Sequence, residues 1–129
     1  MVSQSTVNLY HGTDWESALD ILNHGLNIDH LKHLQAGRAT QLGIGWYTTD
    51  MIDTAWYFAS IAPGITEGGY TVIQMILHLE HLESLLEQEL AVKDRIINVP
   101  FQGVQYWFRP NSFDFLNKQA LFSPYHEGV

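Results

Sequence analysis

Two short clusters in the first half of the chain carry residue types suited to gripping a flat polar ring. His11-Gly12-Thr13 supplies an imidazole, a small residue and a hydroxyl, and Gly45-Trp46-Tyr47 supplies a glycine followed by two aromatics. Flat ligands are bound by apolar stacking for area and by a few placed polar groups for orientation. Each cluster sits where a strand-like stretch hands over to a helical one. The helical stretch after the second cluster adds two more aromatics, Tyr57 and Phe58. Two such units set a polar strand end beside an aromatic one.

Other chemistries find less support. The chain has seven histidines and no cysteine, which removes disulfides, thiolate metal sites and cysteine nucleophiles. His30 and His33 are three residues apart, as are His78 and His81, so either pair shares a face on a helix. Two ligands still need a third and usually a fourth, and no carboxylate spacing supplies them, so no metal is expected. There is no Gly-x-Ser-x-Gly elbow, no Gly-rich loop followed by lysine, and no Gly-x-Gly-x-x-Gly fingerprint after the first strand.

The elements that must position these residues follow from periodicity. Residues 6–10 read as a strand ending at His11-Gly12-Thr13. Asp14 then caps a helix whose apolar stripe (Ala18, Leu19, Ile21, Leu22) stops at Gly25. A second short helix is expected over 28–36 and a brief strand over 46–49, after which Asp50 caps a helix carrying Ala55, Trp56, Phe58 and Ala59. The β-branched run over 70–77 is the strongest strand signal, and the leucine spacing over 78–90 is helical. The last third reads as strands over 96–99, 104–108 and 119–123. The expectation is one α+β domain spanning residues 1–129, with helices in the N-terminal half and mostly β structure late.

Composition bounds the partners. With 129 residues, 46% of them hydrophobic, one core can form unaided. The formal charge is −8 and the six cationic side chains are scattered, which disfavours nucleic-acid and anionic-membrane binding. A pyrophosphate would then be held largely by backbone amides and dipoles. Neither a membrane-length apolar run nor a signal-peptide pattern is present, so a cytoplasmic protein is the expectation.

The stretch HGTDWESALDILNHGLNI from His11 and the stretch GIGWYTTDMIDTAWYFA from Gly43 together resemble the catalytic core of the poly(ADP-ribose) polymerase and diphtheria-toxin-like ADP-ribosyltransferase superfamily. Those enzymes show a His-Gly-Ser/Thr strand end, a helix closing on Gly-Leu, a Gly-x-Gly-Ile-Tyr motif, and a helix with a second aromatic. Residues 69–77 resemble the family's central strand and 116–125 its last catalytic strand.

The resemblance implies a split β-sheet core that binds NAD as substrate. It implies His11 on a ribose hydroxyl, the Gly12 backbone on the nicotinamide amide, and the Thr13 hydroxyl on the same wall. Tyr47 would stack on the nicotinamide ring, with Phe58 or, more weakly, Tyr57 on its other side, and Gly45 would let backbone approach the ligand. The family's last strand reads roughly Asn-Glu-Tyr, and aligning it on 118–123 puts Gln119 in the glutamate's place. A glutamine can hydrogen-bond a ribose hydroxyl but carries no charge. Asp114 is the nearest upstream carboxylate.

The implied activity is a glycosyltransferase reaction, mono-ADP-ribosyl transfer or NAD hydrolysis. The acceptor (protein, nucleic acid, small molecule or water) is left open. The rival is a catalytically silent domain of the same fold that binds NAD, ADP-ribose or a protein.

Overall fold

A computed structural model describes residues 5–27, 45–61, 69–95 and 103–125. The longest strands are β1 (Thr6–Asp14) and β3 (Tyr70–His78), which pair antiparallel along all nine residues from Thr6↔His78 to Asp14↔Tyr70. Around this pair lie β2 (Trp46–Thr49), β4 (Ala91–Arg95), β5 (Val104–Phe108) and β6 (Leu121–Pro124). They form one six-stranded sheet in the order β4-β5-β2-β1-β3-β6, every described pairing antiparallel. Four α-helices and one short 3-10 turn (Pro110–Ser112) complete the described elements, the helices being α1 (Trp15–His24), α2 (Ile52–Ser60), α3 (Leu79–Glu87) and α4 (Phe113–Gln119). The architecture is α+β.

Side chains alternate across a strand, so each strand feeds two layers. On one face Leu9, Trp46, Ile73, Met75, Leu77 and Phe108 are almost wholly buried, packed with Ala18 and Ile21 of α1, Leu82 and Leu85 of α3, and Phe113 and Leu116 of α4. Each such side chain contributes roughly 1.5–3 kcal/mol. The other face is covered more thinly: Ala55 and Ala59 of α2 close on Val72, with Tyr10, Ile52, Trp56 and Tyr125 around them.

Local signals explain most boundaries. Asp14 caps α1, its carboxylate accepting from Ser17 N at 3.0 Å, and Gly25 ends that helix in the left-handed region at φ 80°. Asn117 of α4 then fastens the segment after Gly25, accepting from Leu26 N at 2.8 Å and donating to Leu26 O at 3.2 Å.

Several expectations are corrected. β1 does not end at His11 but continues to Asp14, because β3 provides it with a partner at every residue. Met51, not Asp50, precedes α2, and Asp50 instead accepts from Val104 N at 3.4 Å. The helical stretch over 78–90 is shorter, since β3 takes His78 and the chain turns at Glu89, where φ is 60°. Helices are not confined to the N-terminal half: Phe113, Leu116 and Ala120 share a buried stripe that makes 113–119 helical before β6 begins at Leu121. The helix expected over 28–36 and the strand over 96–99 lie outside the described residues. Among the described residues no helix is long and apolar enough to cross a membrane.

Candidate functional site

The sheet changes character between β1 and β2. β1 has nine rungs to β3 but a single paired position to β2, Tyr10↔Thr49. Continuing that register would set Gly12 opposite Tyr47, yet from His11 onward β1 has no ladder partner on this side among the described residues. Backbone groups of an extended strand point alternately to its two flanks. Among the described residues, alternate peptide groups between His11 and Asp14 therefore face no paired strand on this flank.

The His11 side chain links the two strands. Its Nδ1 lies 2.6 Å from the Tyr47 carbonyl oxygen. A carbonyl only accepts, so Nδ1 carries the proton and Nε2 keeps its lone pair. Burial pushes the His11 pKa down from 6.5 to about 4, against the opposing pull of the Tyr47 hydrogen bond and the Asp14 charge. At neutral pH His11 is thus an uncharged ring in a fixed tautomer with an acceptor nitrogen. Its plane is set by Trp46, fully buried, whose ring centroid is 4.8 Å away.

Tyr47 projects to the opposite face, the one α2 covers. It is half-buried, and its ring lies 6.3 Å from Trp107, its cross-strand partner on β5, at an interplanar angle of 30°. Trp107 occupies the space beside Gly45: a Cβ there would sit 2.1 Å from Trp107 Nε1 and 2.6 Å from the Phe108 carbonyl. Gly45 therefore serves indole packing, and through it the placement of Tyr47.

Gly12 has a similar use. A Cβ on it would lie 2.0 Å from the Ala55 carbonyl and 2.6 Å from Ala59 N, so α2 rests directly on the β1 backbone. This contact fixes the helix that carries Tyr57 and Phe58, both half-buried, with ring centroids 5.7 Å apart. Thr13 is buried and donates to the Asp14 carboxylate at 3.3 Å.

The structure thus sets His11 and Tyr47 at one parting of the sheet but on opposite faces, His11 on the Trp46 side and Tyr47 with Gly12 on the α2 side. It does not bring Gln119 or Asp114 there. Gln119 is the exposed last residue of α4, and β6 after it pairs with β3, on the side of β1 away from β2. Asp114 is exposed in the first turn of α4 and lines an open groove of about 500 Å³ with Leu26, Asn27, Pro110, Asn111 and Phe113.

The strand beside β2 is β5, and it holds residues that sequence reading passed over. Gln105 is buried, sits opposite Thr49, and shares the Tyr47 face of the sheet. Gln105 is followed by a tyrosine, Tyr106, whereas Gln119 is followed by Ala120. Deciding between them needed the strand order. Arg109, which follows β5, lies over the Trp107 ring at 4.5 Å.

The second histidine pair is packed, not spread on a wet face. His78 and His81 rings are 5.4 Å apart, His81 meets Phe115 at 5.1 Å, and both Nδ1 atoms are buried without a hydrogen-bond partner. Among the described residues no group of three or more histidines or carboxylates is placed to hold a metal ion. Comparison of the chain with protein-family models, with curated proteins and with solved structures returned no match.

Proposed function

We propose that this is an ADP-ribosyltransferase-like domain that binds NAD at the parting of β1 and β2 and releases nicotinamide from it. The observation that carries this reading is His11: a neutral imidazole, locked by the Tyr47 carbonyl, with a free acceptor nitrogen where the sheet opens. A ribose hydroxyl is the kind of donor that this nitrogen takes. The backbone between His11 and Asp14, which has no ladder partner on the β2 side among the described residues, matches the amide of nicotinamide, which needs one donor and one acceptor. Across the sheet from the His11 ring, on the face that α2 covers, Tyr47 would supply a stacking surface, with Phe58 or Tyr57 of α2 as the opposing one. The parting beside His11 also supports the split-sheet form that the motifs imply.

In this reading the bond between nicotinamide and ribose C1′ breaks, and its electron pair leaves with nicotinamide. The ribose carbon, positive as the bond lengthens, is taken by a hydroxyl, amine or water, which then gives up a proton. Gln105 is the polar side chain beside the Tyr47 strand that can hold a ribose hydroxyl. It offers dipole stabilisation, not a full negative charge.

That absence of charge favours a second reading, a silent binder of NAD or ADP-ribose. Asp114 is exposed and away from the parting, Gln119 carries no charge, and the carboxylate near His11, Asp14, is engaged by Thr13 Oγ1 and Ser17 N. The two readings are separated by incubating the purified protein with NAD and quantifying nicotinamide. Release by the wild type, abolished in His11→Ala and Tyr47→Ala, supports turnover. NAD binding by calorimetry without release over long incubation supports the silent reading. Undiminished activity in both variants would sink the site.

A further inference from the structure

We propose that Arg109 is an anion subsite at the mouth of this parting and takes the diphosphate of the dinucleotide; the proposal rests on the NAD reading above. The register Trp46↔Phe108 places Arg109 level with Gly45, at the end of β2 where β1 has already parted from it. The guanidinium lies over Trp107 at 4.5 Å, and Trp107 is in turn 6.3 Å from the Tyr47 ring. With a nicotinamide stacked on Tyr47, the ribose and diphosphate would run past Trp107 toward this guanidinium.

Three features make this arginine different from a solvated surface charge. Its Nε donates to the Glu89 carbonyl at 2.7 Å, and the indole holds the guanidinium plane, so the group is fixed before any ligand arrives. The Glu89 backbone that accepts this bond is itself in the left-handed region, the one such non-glycine position among the described residues. The terminal Nη atoms make no hydrogen bond to described residues, and no carboxylate among them lies within ion-pair distance. In a chain with 14 acidic and 6 basic side chains, an exposed arginine without an acidic partner among the described residues is available for an anion. Its planar fork matches two phosphate oxygens.

Sequence reading expected a pyrophosphate to be held mainly by backbone, and Arg109 adds a side chain to that account.

The test uses nicotinamide and ADP-ribose as separate calorimetric probes of the intact chain, with Arg109→Gln and Arg109→Lys. Arg109→Gln is expected to weaken ADP-ribose by about ten-fold or more, the loss of a charge-assisted pair, while nicotinamide binding stays within about two-fold. Arg109→Lys should fall between, keeping charge without the fork. Added salt should weaken ADP-ribose binding to the wild type more than to Arg109→Gln. Unchanged ADP-ribose affinity in Arg109→Gln, with nicotinamide still bound, overturns the subsite. A parallel loss of both ligands and of thermal stability also overturns it, since Arg109 would then only brace Trp107 and the Glu89 turn. If the wild type binds neither probe, the NAD reading itself fails, and the subsite with it.

Discussion

Protonation of His11 should cost the folded protein stability in acid, by an amount the structure sets. The folded pKa is held at about 4 against 6.5 in the unfolded chain, burial being the dominant cause. Between those two values the unfolded chain binds the proton and the folded one does not. Stability therefore rises with pH in this window and is lost as pH falls from 6.5 toward 4. A tenfold difference in proton affinity is worth about 1.36 kcal/mol, so acidification from about pH 7.5 to 4.5 removes about 2.5 kcal/mol. This is an upper value, because the half-buried ring keeps some contact with solvent.

His11→Phe isolates the effect. It keeps a ring against Trp46, removes the proton, and leaves the Tyr47 carbonyl without its donor at a pH-independent cost of about 1–3 kcal/mol. Urea unfolding of both proteins across this range cancels the other histidines. The wild-type advantage at neutral pH, about 1–3 kcal/mol, should shrink by up to about 2.5 kcal/mol by pH 4.5, vanishing or changing sign there. A constant difference across the range would refute the buried, neutral imidazole. So would a His11 NMR titration centred near 6.5.

Gly12→Ala should be the most damaging single methyl on β1. Its Cβ meets two backbone atoms of α2 that cannot rotate away, so a loss of about 3 kcal/mol is expected, on the order of 10 °C in thermal midpoint. Ligand affinity should fall with it as α2 is displaced; a midpoint within two degrees or so of wild type would contradict the packing. Among the polar candidates, Gln105→Ala should reduce NAD binding or turnover, while Gln119→Ala and Asp114→Ala leave both within about two-fold. The reverse ranking, in the same nicotinamide assay, would restore the last-strand alignment.

Much of the local structure is written in short-range chemistry. Asp14 and Gly25 announce the ends of α1 because an N-cap carboxylate and a left-handed glycine act within one turn. The β-branched run over 70–77 becomes β3 with one residue added, since its side chains are buried from both sides of the strand. The two clusters singled out by residue type, His11-Gly12-Thr13 and Gly45-Trp46-Tyr47, fall in or beside adjacent strands.

What the sequence could not decide is which elements become neighbours. Gln119 and Gln105 have comparable local settings, and only the order β4-β5-β2-β1-β3-β6 sets one beside the Tyr47 strand and the other on a solvent-exposed helix end. The use of Gly12 and Gly45 was similarly hidden, because the atoms that exclude a Cβ come from residues more than 40 positions away. The same holds for His11. Its type is evident from the chain, but its tautomer and depressed pKa come from burial against Trp46 and one bond to the Tyr47 carbonyl, 36 residues distant. Chemistry of that kind depends on what desolvates a group and what faces it, and tertiary packing alone determines both.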